Sequence, residues 1–318
     1  MSRSTSRFPK GAIAQVETGV AHRTFLESVE PDYALLKIQY ARRLLKQEET
    51  AESWFPEGTT VITSTAIRDD QNAALPIEGN GHKRGEADIV REFGPDFHIP
   101  ADRSDYQDLE DAERYEHVRE CMTGTVTLAN HIADGGWDTQ IVPFVKGVTP
   151  KERWLCYRTM EQLGLEYAAL YANGYFNDGT GIGIGELVED LELIAEESAE
   201  MVESVDGPLR LMVLNCLSPQ VLERFPENVE AASGLWVGQR RGWREKVVPM
   251  KQEPAEMRRI YGDVEERVAK ALSVPRTERE EASASASTER SPAESEGVGS
   301  TESGGESATS TEVGGKGE

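Results

Sequence analysis

An acid or an amine that stands directly after a short apolar run is placed to do chemistry. Such a run reads as a strand, and the residue that follows it reaches the open end of a sheet. Several residues of this sequence fit that description. Asp102 and Asp105 follow an apolar run in HIPADRSDY (98–106), and Lys146-Gly147 ends the apolar TQIVPFV (139–145). Tyr171, Asn173 and Gly174 close EYAALYANG, while Asn215 and Cys216 follow LRLMVL, which carries Met212. Ser233-Gly234 lie in the last apolar run. A carboxylate at Asp102 could accept hydrogen bonds from a base or sugar, or act as a general base; it could equally cap a following helix. Lys146 could hold an anion or a carbonyl oxygen, or be an exposed loop lysine. Cys216 reads better as a buried small hydrophobe than as a nucleophile, since no histidine stands near a strand end to activate it.

Two further segments carry chemical possibilities. The glycine-rich NDGTGIGIG (177–185) could bring backbone N–H groups to a ligand, but it matches neither phosphate-loop pattern and also reads as a flexible loop. The segment QRRGWREKVVPMK (239–251) concentrates Arg240, Arg241, Arg244, Lys246 and Lys251 around Trp243. Basic groups gathered in an acidic chain suit phosphates, and an indole among them could stack on a base. Ion pairing with neighbouring glutamates is the alternative.

The elements that must position these residues alternate along the chain. A helix is expected over Glu113–Ala133, then the strand 139–145. A second helix opens at Thr149-Pro150 with a cap and a first-turn proline, and closes at Gly164. The strand Glu166–Tyr171, an acidic helix Gly185–Val202, the strand Leu209–Leu214, a short helix from Ser218-Pro219 and the strand Ala232–Val237 follow. Upstream, Tyr33–Leu45 reads as a helix, Thr59–Ala66 as a strand, Asp88–Phe93 as a helix and Phe97–Pro100 as a strand. Strand–helix alternation means parallel strands with helical crossovers. The length and the missing GxGxxG after the first strand favour a (β/α)8 TIM-type barrel over a doubly wound open sheet.

Composition bounds the domain. The chain has 318 residues and a formal net charge of -23. Residues 1–10 and 273–318 lack the apolar side chains a core needs, and both are expected to be disordered, the latter as a Ser/Glu/Gly-rich acidic tail. The barrel domain is then 11–272. Such acidity repels phosphates at low salt and suits a halophilic setting, where screening is strong. Three scattered cysteines, no local metal-ligand spacing, no signal-peptide core and no long apolar span lead us to expect a cytoplasmic protein without disulfides, metal or membrane segment.

In their order, PFVKG (143–147), YAALYANG (167–174), RLMVLNCLSP (210–219) and ASGLWVGQRRGWR (232–244) resemble the second half of the tRNA-guanine transglycosylase superfamily. HIPADRSDY resembles its early base-recognising segment. The similarity is nearer to the divergent DNA-modifying branch of viruses and some prokaryotes than to the tRNA enzymes. The resemblance implies a barrel that exchanges guanine for a 7-deazaguanine base in nucleic acid, DNA rather than tRNA, with no cofactor. It implies that Asp102 meets the base and that Tyr171 and Met212 pack against it. Asp105, Lys146, Gly147, Asn173 and Asn215 would line the substrate site, and Arg240, Arg241 and Arg244 would hold phosphates. Ser233 stands where the family carries its nucleophilic Asp, with no acid between Glu230 and Glu245. Lys146 replaces a Gln, and the family's cysteine-rich zinc motif is absent. Two other expectations stay open. One is a catalytically inactive barrel that binds nucleic acid or a partner modification enzyme. The other is an unrelated barrel hydrolase or lyase acting on a small anionic substrate around Lys146.

Overall fold

The computed structural model describes residues 8–66, 75–80, 83–176, 183–202, 206–235 and 253–273. The glycine-rich 177–182, the basic 236–252 and the tail 274–318 lie outside the described residues. So do Arg240, Arg241 and Arg244, along with the expectations attached to them.

The first strand, β1 (Gly11–Val16), is buried along nearly its whole length, as a strand covered on both faces must be. Helix α1 (Val20–Val29) leads to β2 (Tyr33–Lys37), α2 (Ile38–Leu45), the single turn α3 (Ala51–Trp54) and β3 (Thr60–Ser64). Then come α4 (Glu86–Phe93), β4 (Phe97–Ile99), α5 (Asp111–Gly135) and β5 (Gln140–Ile141). The second half contains α6 (Pro150–Leu163), β6 (Tyr167–Tyr171), a 3-10 turn (Ala172–Phe176), α7 (Gly183–Met201), β7 (Arg210–Leu214), α8 (Pro219–Leu222), β8 (Val229–Leu235) and α9 (Pro254–Ser273). Helix α6 has the expected ends. Thr149 Oγ1 accepts from the Glu152 N–H, Glu152 returns the contact to the Thr149 N–H, and Gly164 takes the left-handed conformation at φ 63°.

Among the described residues the strands form one curled, all-parallel sheet in the order β5-β4-β3-β2-β1-β8-β7-β6. Every neighbour in the sheet is also a neighbour in chain order, except that β1 pairs with β8, Ile13 opposite Ser233. The segment expected as one strand over 139–145 divides its pairing. Gln140–Ile141 pairs with β4, whereas Pro143 O accepts from the Ala169 N–H at 2.8 Å and the Val145 N–H donates back to Ala169 O at 2.9 Å. Phe144 thereby forms a parallel bridge to Ala169 of β6.

Two departures from the sequence expectation bear on the site. Tyr33–Leu45 is not one helix. Its first five residues are the interior strand β2, with Ala34, Leu35 and Leu36 buried, and the helix starts only at Ile38. Leu, Ala and Lys favour helix, but pairing on both sides of the strand overrides that weak preference. Within the start expected to be disordered over 1–10, Phe8 is buried and stacks on Tyr167 with ring centroids 4.8 Å apart.

A buried polar link ties β4 to α4. Glu86 Oε1 accepts from the Ala101 N–H at 3.0 Å and lies 3.0 Å from His98 Nε2, whose other ring nitrogen shares a 2.7 Å hydrogen bond with Thr63 Oγ1. Glu86→Ala would orphan a backbone donor and an imidazole in the interior. We expect it to cost about 2–3 kcal/mol, read as a lower urea midpoint with an unchanged m-value.

Candidate functional site

Because all the strands run parallel, their carboxyl ends meet on one face of the sheet, where sites of α/β folds form. Lys37 ends β2, Asp102 follows β4, Lys146 follows β5, Tyr171 ends β6 and Asn215 follows β7. Glu17 directly follows β1.

Backbone strain and hydrogen bonding set the position of Asp102. Ala101 adopts φ 52°, a left-handed conformation that costs a residue with a Cβ on the order of 1–2 kcal/mol. Its N–H is held by Glu86, and the next N–H, that of Asp102, donates to Thr65 Oγ1 at 2.9 Å. Gly124 of α5 makes room for this turn, since a Cβ there would lie 2.6 Å from the Cβ of Ala101. Asn215 also has a positive φ, 65°. Its N–H donates to Ser233 Oγ at 3.4 Å, and its side chain hydrogen-bonds the Tyr171 phenol.

The centre of the arrangement is one lysine between two aspartates. Lys146 Nζ lies 2.8 Å from Asp102 Oδ1 and 2.8 Å from Asp105 Oδ1. The Gly147 N–H donates to Asp105 Oδ2 at 2.8 Å. Lys146 is 6% exposed. Burial by itself would push its ammonium toward neutrality, but the two carboxylates outweigh that and hold its pKa well above the ordinary lysine value. Asp105 is pushed up by burial and more strongly down by Lys146 and the Gly147 N–H, so it stays ionised below the ordinary carboxylate range. Gly147 is needed where it stands: its φ is 98°, and a Cβ would sit 2.3 Å from the Cβ of Glu152. Lys146 is therefore neither an exposed loop lysine nor a free anion holder, as its charge is already met by two carboxylates.

Beside this triad opens a cleft of about 500 Å³. Phe144, Lys146, Tyr171, Tyr106, Tyr175 and Asp190 are among the residues that line it. The Tyr175 hydroxyl donates to Asp190. The wall is braced by Arg153, which donates to both carboxylate oxygens of Glu197 at 2.7 and 2.8 Å and so pins α6 to α7. At the rim, Tyr106 is 50% exposed. Among the described residues no group of three metal-ligating side chains occurs, and no helix is long and apolar enough to cross a membrane.

The structure thus brings Asp102, Asp105, Lys146, Gly147, Tyr171 and Asn215 to one face. Ser233 is on β8 but fully buried, Met212 is fully buried within β7, and Asn173 sits on the exposed side of the 3-10 turn. Cys216 is buried. Glu230, the nearest acid before Ser233, belongs to the opposite end of the sheet, paired with Lys10 at 3.5 Å and Arg210 at 3.7 Å. Residues not singled out in the sequence include Glu17, Lys37, Thr65, Tyr106 and Tyr175. Glu17 and Lys37 carried a usable signal, each standing at the end of an apolar run as Lys146 does. Comparison of the chain with models of known protein families yields no match, and a search among characterised proteins yields none.

Proposed function

We propose that the chain is a transglycosylase-like enzyme that exchanges guanine for a 7-deazaguanine base in nucleic acid, DNA rather than tRNA, on a closed (β/α)8 barrel. The cyclic strand order and the Phe144–Ala169 bridge between the sheet's two ends support the closure. The observation that carries the activity is the pair of aspartates that both lie 2.8 Å from the Lys146 ammonium at the carboxyl ends of the strands. Base exchange passes through a sugar with positive charge developing at C1′, and a pre-positioned carboxylate stabilises that charge without reorganising. Asp102 would face the nucleotide in this role. The adjoining cleft has a volume in the range of small-molecule sites, and the aromatic side chains that line it suit a flat bicyclic base. The competing small-anion reading loses its main support, because Lys146 is saturated by carboxylates.

A second reading has one observation in its favour. Ser233 is buried, its hydroxyl is engaged by the Asn215 N–H, and β8 brings no acid to the mouth within the described residues. That pattern fits a barrel that binds nucleic acid or a partner enzyme without reacting. Incorporation of labelled guanine and of a labelled 7-deazaguanine into duplex DNA and into tRNA, at molar salt, separates the two. Label entering DNA is the expected result. Retention of nucleic acid by folded protein with no label entering either polymer would overturn the enzyme reading and leave the binding one.

A further inference from the structure

The described groups at the mouth include several possible nucleophiles, and most are already committed. Ser233 Oγ is buried and accepts from Asn215, Cys216 is buried, and Asp102 and Asp105 share the Lys146 ammonium. Glu17 faces His22 at 3.9 Å and takes a hydrogen bond from the Tyr40 hydroxyl. Lys37 is different. It is the last residue of β2, opposite Ser64 in the β2–β3 register. The next residue along β3, Thr65, holds the Asp102 N–H. Lys37 and Asp102 therefore rise from either side of the same strand end. The side chain is half-buried, and among the described residues Lys37 has no ion-pair partner within contact distance. Glu17 and Asp102 act on it only from further away.

We infer that Lys37 is the nucleophile of the exchange, attacking C1′ of the target nucleotide and carrying the sugar as a covalent amine adduct; this rests on the base-exchange reading. Burial lowers the pKa of Lys37, and Glu17 and Asp102 offset that only in part, so the neutral amine is more accessible than on an ordinary lysine. The steps balance. The amine nitrogen forms a bond to C1′ as the C1′–N9 bond breaks, and the departing purine keeps that electron pair. Lys37 loses one proton and the purine anion gains one. The resulting hemiaminal ether can open, with C1′–O4′ breaking as a C1′=N imine forms and the proton of the nitrogen passing to O4′. Reclosure restores the hemiaminal ether. The incoming 7-deazaguanine then forms a bond from N9 to C1′ and gives up its N9 proton, while Lys37 leaves with the electron pair of the C1′–N bond and takes up a proton. Asp102 stands beside this path as the carboxylate that steadies the positive charge at C1′.

The imine makes the proposal testable apart from exchange. Full-length protein is incubated at molar salt with guanine-containing duplex DNA and sodium borohydride, which reduces an imine to a stable secondary amine. The expected product is a protein–DNA adduct that peptide mapping by mass spectrometry assigns to Lys37. Lys37→Arg keeps the positive charge but cannot form the imine, and should reduce trapping at least about a hundredfold; its thermal unfolding shows whether the fold survives. Lys37→Met serves as the second variant. Exchange of label without any trapped adduct would overturn the lysine nucleophile and leave the base-exchange reading intact. An adduct at Lys37 without exchange would overturn the base-exchange reading, and with it Lys37 as the nucleophile of an exchange, leaving Lys37 only as a group that attacks C1′. An adduct mapped to another lysine, or one that persists in Lys37→Arg, would also overturn the inference.

Discussion

Lys146→Met is expected to destabilise the protein by about 3–5 kcal/mol, the usual cost of removing one partner from a buried ionic cluster. Asp102 and Asp105 both lie 2.8 Å from the missing ammonium. Without it, two carboxylates would face each other with their charge uncompensated. The methionine replaces the methylene stem closely, so little of the loss would come from packing. Acid should rescue the variant in part, since protonating either aspartate removes the repulsion. The wild-type protein behaves in the opposite sense. The folded-state pKa of Asp105 is depressed, so its contribution is present above the ordinary value of 3.8 and is lost as pH falls through the lower folded value. The pKa of Lys146 is raised, so its contribution is complete below 10.5 and is lost as pH rises through the higher folded value. Urea unfolding of variant and wild type at pH 7, below pH 3.8 and above pH 10.5 checks these expectations. A variant as stable as wild type at pH 7 would mean that the triad contributes no net stability.

Asp102→Asn is expected to lower base exchange by about 10³-fold, in the range of removing one charged stabiliser of a transition state. The substitution preserves size and the backbone bond to Thr65. Lys146 also keeps its contact with Asp105, so the fold should survive. The loss should fall on kcat more than on KM, because the carboxylate acts on charge that is absent from the bound ground state. Single-turnover incorporation of labelled base into duplex DNA measures it. A variant with exchange within about threefold of wild type would remove Asp102 from the chemistry.

Local signals made much of the second half legible. Thr149-Pro150 and Gly164 bracket α6 where the sequence placed it, because a cap, a first-turn proline and a left-handed glycine each act over a few residues. The strands before Lys146, Tyr171 and Asn215 were legible because residues buried on both faces form unbroken apolar runs. The first half was harder. Tyr33–Lys37 is rich in residues that also suit a helix, so local preference does not separate β2, or the strand end at Lys37, from the helix that follows. Strand β1, which ends just before Glu17, has no counterpart among the elements expected from the sequence.

The sequence by itself determined the alternation of strands and helices in the second half, and with it the sheet end that gathers most of the candidate residues. That information is carried by burial patterns and caps, which depend on near neighbours. It did not determine what Lys146 does there. One ammonium can serve a substrate or two aspartates, and the choice depends on carboxylates 41 and 44 positions earlier in the chain being folded to within 2.8 Å. Such convergence depends on the turn at Ala101, the space at Gly124 and the approach allowed by Gly147. Only the tertiary structure decided it, because Coulomb energy follows distance in space and not separation along the chain.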